Sequence, residues 1–313
     1  MQNNIYYHIF NGDSSKEAFL HSPLNSTNHI KIAWREVLCE GPVNEPLLSD
    51  VFFDIRDNFL QGEYGIEKSQ KDNGRNELKK ILQIPKEADI TLWFEYDLFC
   101  QINMIAALSS IAGKHENVYL ICVGNEEGKK GLQTLGHYKP EAYPELFTHR
   151  KKLSAEELLF AKEFWQTYAF EPPTALQKLI IKTPDAFPYL NKAIEAHFAR
   201  FPSTENGLSE IQNNILNLIS NESLKKRQIV GKLLRTENSL GFGDLQYFQL
   251  IEDLAPVLEI EGELVYLNPD GKDVLNGKKD FLEVSNKSFH LGAVKNNDYR
   301  WDNLNKELIL SSS

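Results

Sequence analysis

The stretch Ile5-Tyr6-Tyr7-His8-Ile9-Phe10-Asn11-Gly12-Asp13-Ser14-Ser15-Lys16-Glu17 runs from β-prone residues straight into a polar turn and a helix start. Its first six residues, rich in Ile, Tyr and Phe, fit a buried strand bounded by an Asn-Gly turn. Ser14 and Glu17 match a capping box, in which the serine hydroxyl and the glutamate carboxylate satisfy amide donors at opposite ends of a first helical turn. A strand followed at once by a helix opens an α/β unit. The same transition recurs twice. His29 to Trp34 passes into Arg35, Glu36, Glu40, Gly41 and Pro42, and Ile90 to Phe94 passes into Glu95, Asp97 and Gln101. Ligands of an open parallel sheet bind outside the carboxyl ends of its strands, where such loops converge.

Outward from these three points, the spacing predicts helices over 49–60 and 75–82, a helix near 98–111 closed by Gly113, and a fourth strand over 118–123, all four strands parallel. Disorder is expected only in the polar segment Glu67 to Gly74 and the tail Ser311-Ser312-Ser313. From Lys151 the hydrophobic period changes from two to about 3.6 and strand signals disappear. Ser154 and Glu157 form another capping box, opening a helix in which Trp165 and Tyr168 read as packing residues, and further helices are predicted over 176–181 and 189–201. The last third reads as three helices (208–219, 224–234, 244–254), two strands (257–260, 264–267) and an Asn268-Pro269-Asp270-Gly271 turn. That is the element order of a winged helix. The fold class expected is therefore α/β: an N-terminal Rossmann-like, mostly parallel sheet with helices on both faces (1–150), a helical connector (151–203) and a C-terminal winged-helix-like domain (204–313).

Composition narrows the function classes. A chain of 313 residues, 42% hydrophobic and 25% charged, has the balance of a globular protein with more than one core. No stretch reaches the roughly 18 uninterrupted apolar residues of a membrane span, and no basic, apolar leader precedes the first strand, so cytoplasmic residence is expected. The net charge of −10 argues against a broadly basic nucleic-acid surface. Within 204–313, 12 Lys and Arg face 17 Asp and Glu, a net −5, and the third helix carries three acids and no Lys or Arg. DNA is a poor partner for such a module, since phosphate neutralisation supplies most non-specific affinity. A protein contact is the better expectation, with Lys225-Lys226-Arg227 read as a solvated face. Three cysteines without a CxxC pair read as reduced thiols, and eight histidines without H-x-x-x-H spacing leave zinc unsupported.

The chemistry is expected at the strand ends. Asn11, Gly12, Asp13 and Ser14 place a glycine between a strand and a helix N-terminus, a combination that lets backbone amides approach an anion. Arg35 can hold a carboxylate or phosphate bidentately, or pair internally with Glu40 or Asp13 beside Gly41. Asp97 sits at a helix N-cap, Gln101 follows on the same face, and Glu95 has no such local role. Convergence of Asp13, Glu40, Glu95 and Asp97 would call for a cation such as Mg2+, raised carboxyl pKa values, or Arg35. Neither a G-x-G-x-x-G fingerprint, a P-loop nor a nucleophile elbow is present.

Segments His8 to Ser14, Trp34 to Pro42 and Leu92 to Gln101 resemble, in order, the N-terminal motifs of a bacterial family described as domain of unknown function 1835. Pro202-Ser203, Asn206 to Ser209, Phe242-Gly243-Asp244, Leu291-Gly292 and Arg300-Trp301 resemble its C-terminal half. The chain departs from the pattern at Glu36 and Cys100, where the family usually shows aspartate, and near Leu291-Gly292-Ala293, where it shows Trp and Gly-Gly. The resemblance implies no particular reaction. From the residues, the expected function is binding of a small anionic ligand, a nucleotide or phosphorylated compound, coupled to a winged-helix-like interaction domain. The alternatives are a divalent-metal-dependent phosphoester hydrolase or transferase using Asp13, Glu40, Glu95 or Asp97, and a transcription regulator or adaptor acting through the winged helix.

Overall fold

The computed structural model describes residues 5–237 and 239–311. Met1 to Asn4, and Ser312-Ser313 of the polar tail expected to be disordered, lie outside the described residues. The chain forms two compact units, Met1–Ala193 and Ile194–Ser313, taken here in turn.

The first unit contains, in order, β1 (Tyr6–Phe10), α1 (Asp13–Leu20), β2 (His29–Ala33), α2 (Asp50–Tyr64), α3 (Lys68–Lys79), β3 (Asp89–Phe94), α4 (Leu98–Ile111), β4 (Val118–Cys122), α5 (Tyr143–Thr148), β5 (Lys151–Lys152), α6 (Ala155–Phe170) and α7 (Pro173–Leu179), and α8 (Leu190–Phe198) crosses into the second. The helices expected as a connector after residue 150 thus fall largely in this unit, where α6 packs on α4. The sheet order is β2-β1-β3-β4-β5, with the first four strands parallel as the sequence indicated. β5 was not foreseen. It is a two-residue antiparallel edge, too short to leave a periodic signal, and its two exposed lysines suit a strand edge that must not pair further.

Register sets the height of the loops. Phe10 lies opposite both Ala33 and Trp93, and Phe94 lies opposite Cys122, so the central strands end level with one another. Ile90 and the run Leu92 to Phe94 are buried without alternation, as an interior parallel strand requires. Phe10, Trp93, Ile121 and Val123 pack with Phe19 of α1, Leu135 and Tyr143 of α5.

Two local expectations are corrected. α1 begins at Asp13 with Gly12 in the N-cap position and no side-chain cap, so the Ser14–Glu17 capping box does not form. At φ 89°, Gly12 turns the chain two residues earlier than Ser14 could, and Ser14 falls inside the first turn. Glu17 instead meets His21 one turn on. The segment Glu67 to Gly74, expected to be disordered, is mostly helix α3. Its order comes from distant partners: Arg75 bonds Asp54 and Asp57 of α2 at 2.6 and 2.8 Å, Lys71 bonds Gln61, and Leu78 is buried.

A polar file runs through this core. Trp93 Nε1 donates to His8 Nδ1 at 3.0 Å, which leaves the His8 proton on Nε2, 2.9 Å from His29 Nδ1. Burial, with His29, Lys31 and Arg150 nearby, pushes the His8 imidazole well below its ordinary pKa, and burial lowers His29 as well. Both rings take up protons more readily in the unfolded chain than in the folded one. Their stabilisation is complete above the unfolded value of about 6.5 and is lost as pH falls below it. The melting temperature is expected to fall on acidification from about pH 7.5 to 5, and to fall less steeply in His8→Asn; equal slopes in the two proteins would contradict this.

The second unit contains α9 (Glu210–Asn221), β6 (Leu224–Lys225), α10 (Lys226–Thr236), α11 (Asp244–Asp253), β7 (Leu258–Glu261), β8 (Leu264–Leu267), α12 (Pro269–Leu275) and two further antiparallel pairs, β9 (His290–Leu291) with β10 (Val294–Lys295) and β11 (Tyr299–Asp302) with β12 (Glu307–Leu310). β6, β8 and β7 form one antiparallel sheet in that order. Leu224 and Lys225, read as the start of a helix, pair with Val265 and Leu264, a long-range ladder that local propensity does not reveal. The expected Asn268-Pro269-Asp270-Gly271 turn is the start of α12: Asn268 accepts from the Gly271 N–H at 2.8 Å, and Pro269 occupies the first helical turn.

Candidate functional site

Going from β1, the chain moves to one side for β2 and then crosses to the other for β3 and β4. The crevice outside the carboxyl ends of β1 and β3 is therefore where the direction of winding reverses, the usual ligand position in such sheets. The loops predicted to converge there do so through α4. Asn103, fully buried, donates from Nδ2 to Asn11 Oδ1 at 2.9 Å and to the Glu36 carbonyl at 2.7 Å, while its Oδ1 accepts from the Leu38 N–H at 3.3 Å. Asn11 Nδ2 in turn donates to Cys100 Sγ at 2.8 Å. Segments following β1, β2 and β3 are thereby tied to one helix.

Each residue singled out from the sequence has a defined place. Gly12 borders open space: a Cβ there would meet nothing within 4 Å. Asp13 and Arg35 face each other bidentately, with Nε to Oδ2 at 2.7 Å and an Nη to Oδ1 at 2.6 Å. That bond to Arg35 holds the Asp13 carboxyl below its ordinary range. Of the internal pairings open to Arg35, Asp13 is the one formed. Glu40 instead receives a hydrogen bond from Tyr64 of α2. Gly41 has φ 73°, and a Cβ would stand 2.6 Å from the Phe59 ring, so this glycine is required by packing.

On the β3 side, Asp97 caps α4, accepting from the Cys100 N–H at 2.8 Å. Gln101 is fully buried; its Nε2 donates to the Glu95 carbonyl at 2.6 Å and lies 3.3 Å from Cys122 Sγ, while its Oε1 has no hydrogen-bond partner among the described residues. Glu95 Oε1 accepts from the Leu135 N–H at 2.8 Å. Burial, reinforced by the Asp97 charge and opposed by that N–H, pushes the Glu95 carboxyl up to about 7. Burial also pushes the Cys100 thiol far up and the Cys122 thiol up to about 12, so neither is a thiolate near neutrality.

Glu95, Asp97 and Cys100 offer ligand atoms within 4.8 Å of one another. The fit to Mg2+ is incomplete, because two carboxylates and a protonated thiol fall short of the octahedral oxygen set that ion takes, and all three side chains already serve protein partners.

Sequence reasoning missed Asn103, Arg56 and Leu135. Asn103 had a signal, since it interrupts the apolar run of α4. Arg56, with none of its side chain exposed, bonds Glu36 at 3.0 Å and the carbonyls of Val37, Glu40 and Pro42, and so holds the loop after β2 from beneath. Leu135 acts through its main chain and left no trace in its side chain. A scan against protein-family models finds no match to the chain, and a search of curated proteins finds none. Among the described residues, no helix is long and apolar enough to cross a membrane.

Two outcomes follow. Arg56→Ala strands Glu36 and three carbonyls in the interior and should cost about 3–5 kcal/mol in denaturant unfolding; a loss under about 1 kcal/mol would contradict its buried role. In carboxyl-labelled NMR, Glu95 should titrate near 7 and move down in Asp97→Asn. A midpoint in the ordinary glutamate range would remove Glu95 from the chemistry.

Proposed function

We propose that the first unit is a Rossmann-like, doubly wound domain that binds a small anionic ligand, a nucleotide or phosphorylated compound, outside the carboxyl ends of β1 and β3. In this reading Glu95 exchanges a proton with the ligand. The observation that carries it is the pairing, at one crossover, of an uncapped α1 amino terminus beside open space at Gly12 with a buried carboxyl that its surroundings push up to about 7. Free amide donors at a helix start favour negative charge. A buried acid tuned toward the working pH is suited to donating or accepting a proton. Arg35 enters by leaving Asp13 for the ligand, an exchange made inexpensive by the exposure of that ion pair. Handedness supports the doubly wound reading: right-handed crossovers from β1 to β2 and from β3 to β4 run in opposite directions and so put α1 and α4 on opposite faces.

The proximity of Glu95, Asp97 and Cys100 favours a second reading, metal-assisted phosphoester chemistry. Turnover of phosphoester substrates unaffected by chelation would exclude it.

For the second unit we propose a winged helix that contacts protein. Its support is the succession α9, β6, α10, α11, β7, β8, with β6 paired to β8. Against a DNA role stand the ion pairs of Lys225 with Glu263 and of Lys226 with Glu252, which neutralise most of the basic run. Cytoplasmic residence and kinship with domain of unknown function 1835 belong to the same proposal.

The test is thermal shift of the full chain against nucleotides and phosphorylated metabolites, where ligand at 100 times its Kd stabilises by about 2.7 kcal/mol. A hit should disappear in Arg35→Ala and persist in Glu95→Gln with an altered pH dependence. A hit indifferent to Arg35→Ala, or a blank across the panel, would overturn the assignment.

A further inference from the structure

Beside the edge of the sheet lies a cavity of about 540 Å3 that, of the residues described at the strand-end crevice, only Cys122 lines. Its size is that of a small-molecule site. One wall is apolar: Leu120, Ile121 and Val123 from β4 and the residue after it, with Leu146 and Ala186. β5 covers β4 only at Tyr119 and Leu120, which leaves the final residues of β4 free to line this space.

The charged groups around the cavity are unevenly satisfied. Both lysines are answered. Lys129 bonds Glu126 at 2.8 Å and stands 4.3 Å from the centroid of the Tyr138 ring, whose hydroxyl also bonds Glu126 at 2.6 Å. Lys151 pairs with Glu157 at 3.2 Å. The Glu145 and Asp185 carboxylates, by contrast, have no hydrogen-bond or ion-pair partner among the described residues. His149 Nδ1 is 2.9 Å from the Glu145 carbonyl. A carbonyl only accepts, so Nδ1 carries a proton. What remains at the rim is two carboxylates, Glu145 and Asp185, while each lysine already has one carboxylate partner.

We infer that this cavity is a binding site for an organic cation, a primary ammonium or guanidinium group carried on an apolar body. Such a head has several N–H donors and no acceptor, the complement of the Glu145 and Asp185 carboxylates. The apolar body takes the Leu120, Ile121 and Val123 wall out of water. The net charge of −10 draws a cation toward the molecule as a whole. Because the strand-end crevice is proposed to take an anion, the two sites select opposite charges.

The probe is 1-hexylammonium, with hexanoate and 1-hexanol as matched controls, followed by isothermal calorimetry on the full chain. Hexylammonium should bind saturably, and hexanoate and hexanol should not. The double substitution Glu145→Gln, Asp185→Asn, on two exposed side chains, should weaken hexylammonium about tenfold or more, equivalent to about 1.4 kcal/mol. Arg35→Ala should leave it unchanged, which separates this site from the strand-end crevice. No binding of hexylammonium, equal binding of hexanoate, or affinity unaltered by the double substitution would each overturn the inference.

Discussion

One buried carboxamide fixes the geometry of the first unit's strand-end crevice. Asn103 uses both ends of its amide to join the residue after β1, the loop after β2 and the helix after β3. An amide in an apolar helix core is costly unless its hydrogen bonds are made, so α4 can occupy its position only with these loops in theirs. Level strand ends bring the loops to the same height, and the amide then prevents them from separating. Arg56 performs the corresponding task below the β2 loop, bonding one carboxylate and three carbonyls at once. The crevice is held by buried polar groups whose hydrogen bonds are made.

The same supports decide where charge is left over. Arg35 is neutralised by Asp13 at the surface and Arg56 by Glu36 in the interior. Asp97 is close enough to Glu95 for its charge to raise the Glu95 pKa. For the anion proposed above, the helix amides and the Glu95 proton are the neutralising groups. The thiols of Cys100 and Cys122, held protonated by burial, contribute shape and weak hydrogen bonding.

Much of this was legible in the letters. The four parallel strands, the helix after β3, the Asp97 cap and the three-helix order of the second unit follow from periodicity and capping chemistry. The illegible parts share a physical cause: their energies come from partners far away in sequence. Helix α3 is polar and looks disordered until Arg75 finds Asp54 and Asp57. Strand β6 is two residues whose ladder lies 40 positions on. The Ser14 cap failed for a local reason, since a glycine with positive φ can start a helix before the better capping residue is reached. In the site, residue types pointed to Asn11, Asp13, Glu95 and Asp97, yet which acid keeps its proton near neutrality depends on burial and on the Leu135 main chain.

The central claim is that the β1 and β3 loops form one ligand site. Its most direct measurement is chemical-shift mapping of isotopically labelled protein with whichever phosphorylated ligand stabilises it. The account predicts the largest perturbations at the amides of Gly12 to Ser15 and Glu95 to Asp97, together in one titration with one affinity. Perturbations that leave both segments unmoved, or that move them with different affinities, would contradict it.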